Sequence, residues 1–173
     1  MLFLNFVIAV IPVIIISLDP PDPAVMQQSP RDPRSRIMNR QTGPRWVVLG
    51  LLLGLFSIGA VAFGPGTPSL SEPSVPVTMG FVVMGLGTAV AGFTLHRTPG
   101  SSFWAPVLRP ASLSLLAVLI MVASTQLPFL QSWLNTTTLT GDQWLICAGL
   151  ALGFGAIIEI DKARQRQQER KRA

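Results

Sequence analysis

Residues 46–63 read WVVLGLLLGLFSIGAVAF and contain no charged side chain. An α-helix rises about 1.5 Å per residue, so a run of this length reaches across most of the hydrocarbon core of a bilayer. Pro44 and Arg45 precede the run, and Gly64-Pro65-Gly66 is a strong signal for the end of a helix. We therefore interpret residues 46–63 as a transmembrane helix.

Four further apolar runs flank this helix in the sequence. A composition of 49% hydrophobic and 12% charged residues also favours a membrane protein over a soluble domain. A signal peptide is the alternative for the first run, but no cation precedes it and no small-residue cleavage site follows it. The fold class predicted is an all-α, polytopic membrane protein with five transmembrane helices, at about residues 2–18, 46–63, 77–95, 111–129 and 143–160.

The positive charges predict the orientation of these spans. All 13 Lys and Arg residues fall within residues 31–45, 97–109 and 162–172, whereas the loops at residues 64–76 and 130–142 contain none. Cytoplasmic loops of membrane proteins carry the excess of Lys and Arg. The distribution therefore predicts an N-out, C-in protein.

The same charges bear on the choice of partner. A pI of about 11.1 is compatible with nucleic-acid binding. The cations lie beside apolar spans, however, where topology and anionic lipid headgroups account for them better. We expect the lipid bilayer, and no nucleic acid, to be a partner.

The sequence contains one cysteine and one histidine, which limits disulfide formation and metal binding. Cys147 is the only cysteine, so the sequence allows no internal disulfide and no thiol cluster, and its apolar setting predicts a buried thiol. His96, the only histidine, has no second ligand nearby and is better interpreted as an interfacial side chain than as a metal ligand.

Glycines indicate where the helices pack closely. Gly50 and Gly54 form a small-xxx-small pair, which allows contact with another helix. The third span is rich in glycine, which predicts tight packing of this span; its glycines are Gly80, Gly85, Gly87 and Gly92.

Two sets of motifs carry a resemblance to a known family. Residues 4–7 read LNFV, residues 18–26 read LDPPDPAVM, and residues 29–33 read SPRDP; late in the chain, residues 139–145 read LTGDQWL and residues 159–162 read EIDK. The first set resembles the sixth transmembrane helix and following cytoplasmic loop of P-type cation-transporting ATPases. The second resembles the final hairpin of their transport domain. The order of the motifs and the predicted orientation agree with helices six to ten of that domain.

The resemblance implies both an architecture and a function. Residues 1–162 would form the C-terminal transmembrane domain of a P2-like ATPase, and residues 163–173 a basic cytoplasmic tail. The family hydrolyses ATP through an Asp in a D-K-T-G motif, which this sequence lacks. We therefore expect no enzyme activity and no cofactor in this chain alone. The match begins almost at Met1, so we expect a short separate product.

The partner would be a chain that carries helices one to five and the catalytic domains, with ATP and Mg bound there. Together the two chains would move a cation across the membrane. The expected location is the cell membrane, as a multi-pass protein of the bacterial inner membrane.

The cation ligands implied by the family are only partly present. The sixth helix of the family supplies Asn, Thr and Asp in the pattern N-x-x-T-D; Asn5 matches the first, but Ile8 and Ala9 replace the other two. Asn5 is thus a candidate cation ligand, with an interhelical hydrogen bond as its alternative. Thr88 is the nearest match to a Glu in the eighth helix of calcium-pumping members, with a packing role as its alternative.

The loop after the first span is the second candidate site. In the family this loop faces the phosphorylation domain, and five charged residues here are candidates for that contact: Asp19, Asp22, Arg31, Asp32 and Arg34. Neighbouring prolines would keep the loop extended and lower the entropy lost on docking. The alternative is a solvated connector whose arginines only enforce topology.

Two other functions remain open. The losses at Ile8 and Ala9 favour a non-transporting relic or regulatory membrane bundle. An independent channel is the least favoured, because no polar stripe or ring of charges marks a pore.

An ion pair is expected at the end of the last span, whichever function applies. Glu159 and Lys162 are three residues apart there, which is a favourable spacing for an ion pair on a helix.

Overall fold

The computed structural model describes residues 42–69, 71–95 and 105–172, together with Val10, Val13, Ile14 and Ser17. These four residues are helical, and the rest of the described part forms five α-helices and no strand. The all-α prediction is confirmed. The helices are α1 (Thr42–Phe63), α2 (Val75–Leu95), α3 (Ala105–Gln126), α4 (Pro128–Leu134) and α5 (Gly141–Arg172).

Three helical segments are long and apolar enough to cross a membrane: Gly43–Phe63, Val75–Thr94 and Gly141–Arg164. A bent pair, Ser114–Gln126 followed by Pro128–Leu134, gives a fourth if its two parts form one broken span. The polytopic membrane fold is confirmed in this form. The predicted first span, the total of five spans and the N-out direction stay predictions.

The long helices α1 and α5 extend beyond their predicted spans. α1 begins at Thr42 rather than at Trp46, and α5 continues past Ile160 as far as Arg172. The continuation of α5 is rich in Lys, Arg, Gln and Glu, which are good helix formers. Cations near a helix C-terminus also interact favourably with the helix dipole. The assignment of residues 163–173 to a cytoplasmic tail stays a prediction.

Helix α2 is central in the described bundle, because it packs against α1, α3 and α5. Of its most apolar window, 61% is buried, compared with 28% for α5 and 11% for α1. Most of α1 therefore faces outward, as its exposed Leu51 and Leu55 illustrate.

The contact between α2 and α5 forms the main apolar core. Val82 and Val83 of α2 are fully buried, and Ala151 of α5 belongs to the same cluster. Cys147 is also buried there, with its Sγ 3.7 Å from the carbonyl oxygen of Met79. The predicted burial of the Cys147 thiol is confirmed.

Glycines of α2 allow its neighbours to approach closely. A Cβ atom added at Gly80 would lie 2.5 Å from Val61 Cγ2 and 3.1 Å from the carbonyl oxygen of Ser57. Added Cβ atoms at Gly85 and Gly87 would overlap side chains of α3 and α1, respectively. The predicted tight packing of this span is confirmed.

The glycine pair of α1 behaves differently. A Cβ atom added at Gly50 or Gly54 would meet nothing within 4 Å. The predicted contact with another helix is therefore not made within the described part of this chain. The pattern shows only that a helix can be approached closely, and at these two positions no described neighbour uses the space.

The chain bends by 88° between α3 and α4. A residue that precedes proline is sterically disfavoured in the helical conformation, and Leu127 before Pro128 is extended, with φ −89° and ψ 120°. The predicted fourth span is therefore corrected. α3 ends at Gln126 rather than at Phe129, and the predicted outer loop at residues 130–142 begins with the remainder of α4.

Side chains donate hydrogen bonds to backbone carbonyl groups that have no helical partner at the bend. Gln131 Nε2 donates to the carbonyl oxygen of Thr125 at 2.6 Å, and Thr136 Oγ1 donates to that of Ser124 at 2.7 Å. An unsatisfied carbonyl would be costly at membrane depth. These bonds make the bend compatible with an apolar surrounding.

We expect Gly80→Ala to destabilise the protein. Alanine favours a helix by about 1 kcal/mol over glycine, but overpacking costs about 1–3 kcal/mol, and the Ser57 carbonyl belongs to the backbone and cannot rotate away. The net loss should be about 1 kcal/mol in thermal unfolding of the detergent-purified protein. Gly54→Ala is the matched control and should leave stability unchanged or raised. Equal stability of the two variants would contradict the close contact at Gly80.

Candidate functional site

Of the seven residues that the sequence analysis proposes for a site, the structure describes one, Thr88 in α2. The roles of the other six stay predictions. These six lie outside the described residues and are Asn5, Asp19, Asp22, Arg31, Asp32 and Arg34.

Thr88 is half-buried, and its hydroxyl hydrogen-bonds to its own helix. Oγ1 lies 3.0 Å from the carbonyl oxygen of Met84 and 2.9 Å from that of Gly85. This bonding suits a packing threonine, although the hydroxyl oxygen keeps a lone pair for a cation. Among the described residues, no group of three or more His, Cys, Asp and Glu side chains could hold a metal ion. Thr88 as a cation ligand therefore stays a prediction.

Charged side chains meet where α1 begins, α2 ends and the apolar part of α5 ends. Asp161 Oδ2 accepts a hydrogen bond from Arg45 Nε of α1 at 2.5 Å. Lys162 Nζ donates to the carbonyl oxygen of Thr94 in α2 and to Glu159 Oε1, the latter at 2.9 Å. We call these five residues the polar clasp.

The helical geometry of α5 explains why two adjacent residues bind different helices. Successive side chains of an α-helix point about 100° apart. Asp161 is therefore directed to α1 while Lys162 is directed to α2. One turn of α5 thus contacts both the beginning of α1 and the end of α2.

The polar clasp is partly shielded from solvent. The side chain of Arg45 is 25% exposed and that of Asp161 is 37% exposed. Fully exposed ion pairs contribute about 0–1 kcal/mol, and partial burial strengthens the attraction while it adds a desolvation cost. Lys162 also satisfies a carbonyl in the last turn of α2, where a helix leaves such groups open. The clasp is suited to holding helices together.

Sequence reasoning found part of this site. The predicted pair of Glu159 and Lys162 is confirmed. The contacts of Arg45 with Asp161 and of Lys162 with Thr94 were not predicted. The available signal was the topology, which places a cation before one apolar run and an acid after another at the same membrane face.

Long apolar helices, with charges confined to their ends and to loops in the described part, define the class of the protein. The hydrocarbon core admits helices because every backbone hydrogen bond is made within the segment. The chain is thus a polytopic membrane protein, and its described part has helices as its only regular secondary structure.

The chain belongs to the C-terminal transmembrane family of cation-transporting ATPases. The family model described as "Cation transporting ATPase, C-terminus" matches residues 1–164. The resemblance to P-type ATPases seen in the sequence motifs is thereby confirmed. A comparison with curated proteins found no match.

We expect Asp161→Asn to lower the free energy of unfolding by about 1 kcal/mol, because Arg45 loses its ionised partner. Thermal unfolding in detergent measures the change. Glu72→Gln, in an exposed loop between α1 and α2, is the matched control and should have little effect.

A double-mutant cycle that combines Asp161→Asn with Arg45→Gln measures the interaction free energy of this pair apart from the other contacts of each residue. The coupling free energy should be about 1 kcal/mol. Strictly additive effects of Asp161→Asn and Arg45→Gln would show that the pair contributes nothing to stability.

Proposed function

We propose that this chain is the membrane half of a P-type cation-transporting ATPase and contributes to cation translocation only together with a chain that carries the catalytic domains. The family match over residues 1–164 is the observation that carries this proposal. The family and the apolar helices support a membrane location. We place the protein in the bacterial inner membrane.

The need for catalytic domains outside these 173 residues follows from what phosphoryl transfer requires. ATP hydrolysis in the family passes through an Asp in a D-K-T-G motif, and the 173 residues contain no such motif. Positioned phosphate-binding groups and Mg²⁺ are needed as well. In our proposal the partner chain supplies the first five helices, the phosphorylated Asp and the sites for ATP and Mg.

We assign the contact with the catalytic domains to the loop after the first span. The charged side chains Asp19, Asp22, Arg31, Asp32 and Arg34 would pair with that domain. Prolines between them restrict the unbound loop, so less conformational entropy is lost on docking. Phosphorylation-driven movement of the domain would reach the membrane helices through this loop.

Co-expression with a D-K-T-G-bearing chain that ends after a fifth transmembrane helix tests the assembly. The two chains should co-purify, and proteoliposomes containing both should couple ATP hydrolysis to cation uptake. Arg31→Glu combined with Arg34→Glu should weaken co-purification, whereas the same double charge reversal at Arg170 and Arg172 should not. A partner that is never retained by the tagged chain would contradict the proposal.

The ion site is tested in the same proteoliposomes. Asn5→Ala should abolish cation uptake while co-purification persists, because removing a ligand affects the ion more than the assembly. Asn39→Ala provides a matched control and should preserve uptake. Loss of assembly along with uptake would indicate that the Asn5 amide hydrogen-bonds between helices.

The second candidate function is a non-transporting relic or regulatory bundle. Ile8 and Ala9 favour it, since hard cations prefer oxygen ligands and neither side chain offers one. The bonding of the Thr88 hydroxyl within α2 also favours it. Under this alternative the two chains would co-purify, but Asn5→Ala would change no cation flux.

A further inference from the structure

A cleft opens beside the polar clasp, between the beginning of α1 and the later turns of α5. Its volume is about 470 Å³, within the range of roughly 300–1,000 Å³ that small-molecule sites occupy. One side of the cleft is apolar: Val48 and Leu52 of α1 face Ile157 and Ile160 of α5. This side suits a hydrocarbon chain.

The other side of the cleft is charged. Arg45, Asp161 and Arg164 line it, so two cations and one anion leave a formal charge of +1. Arg164 is exposed and has no ion-pair partner among the described residues. Arg45 binds Asp161 through Nε and adds a second positive charge to this side of the cleft. This side suits a phosphate group.

We propose that the cleft binds an anionic phospholipid, with the headgroup phosphate at Arg164 and the upper part of one acyl chain against the apolar side. An anionic phospholipid is the ligand that uses both the apolar side and the charged side of the cleft. A free anion would not use Val48 or Ile157, and a neutral lipid would not use the net charge. Basic pockets between transmembrane helices are known to accept anionic headgroups.

The cleft lies at the end of the bundle, at the level where a lipid headgroup is expected. Trp46 follows Arg45 in α1 and is 51% exposed, and tryptophan is enriched at membrane interfaces. The positive-inside distribution assigns this end of the bundle to the cytoplasm, where the leaflet is anionic. The lipid would fill the space between α1 and α5 beside the ion pair of the polar clasp.

Native mass spectrometry of the full-length, detergent-purified chain tests the charged side. With phosphatidylglycerol added, bound lipid should exceed that found with phosphatidylcholine. Arg164→Gln should reduce bound phosphatidylglycerol by about fivefold, which corresponds to one interfacial cation. Arg170→Gln removes the same charge about 9 Å further along the helix axis and should leave binding unchanged.

A steric variant tests the apolar side without a change of charge. Val48→Trp should displace phosphatidylglycerol, because the larger side chain fills the cleft. Leu51→Trp is the matched control, since Leu51 lies on the same helix but does not line the cleft. Val48 and Leu51 are 53% and 69% exposed, so we expect both variants to fold, with thermal unfolding as the check.

Three results would overturn the proposal. They are equal binding of phosphatidylglycerol and phosphatidylcholine, equal binding by the Val48→Trp and Leu51→Trp variants, and displacement of the lipid by millimolar inorganic phosphate, which would indicate a site for a free anion. If Arg164→Gln does not fold, the comparison of the two tryptophan variants decides.

Discussion

The hydrocarbon core of a bilayer offers no hydrogen-bond partner, and the rest of this structure depends on that constraint. α1, α2 and the apolar part of α5 satisfy it as unbroken helices. The chain departs from a continuous helix at Leu127, where Gln131 and Thr136 donate to carbonyl oxygens of α3. The polar side chains of Gln131 and Thr136 are therefore accounted for by their hydrogen bonds to backbone carbonyl groups, and they need no separate role in binding.

The same environment limits what can hold the helices together. Lipid is as apolar as leucine, so helix association in a membrane rests on close packing and on polar contacts. Gly80 allows the backbone of α2 to lie against α1, and at the end of the bundle Asp161 and Lys162 join α5 to both helices. The central position of α2 follows from contacts of both kinds.

The sequence was informative wherever a property belongs to one segment alone. The apolarity of residues 46–63 predicts a span whatever its neighbours are. Pro128 carries a local signal for the break at Leu127, which the predicted fourth span over residues 111–129 did not use. Contacts between segments were not predictable in this way. Gly54 and Gly80 belong to the same class of residue, yet only Gly80 has a close neighbour in another helix, and the pairing of Arg45 with Asp161 requires knowing that α1 lies beside α5.

The contacts that hold the described bundle are separate from Thr88, the one proposed cation ligand that the structure describes. Neither Gly80 nor the polar clasp involves Thr88, whose hydroxyl bonds within α2. The packing of the described bundle therefore does not depend on Thr88. An acid inside a membrane is costly, so an apolar side chain such as Ala9, where the resemblance implies Asp, would favour insertion of the predicted first span. Membership of the family accounts for the architecture, whereas in our proposal transport depends on the ligands and on a partner chain.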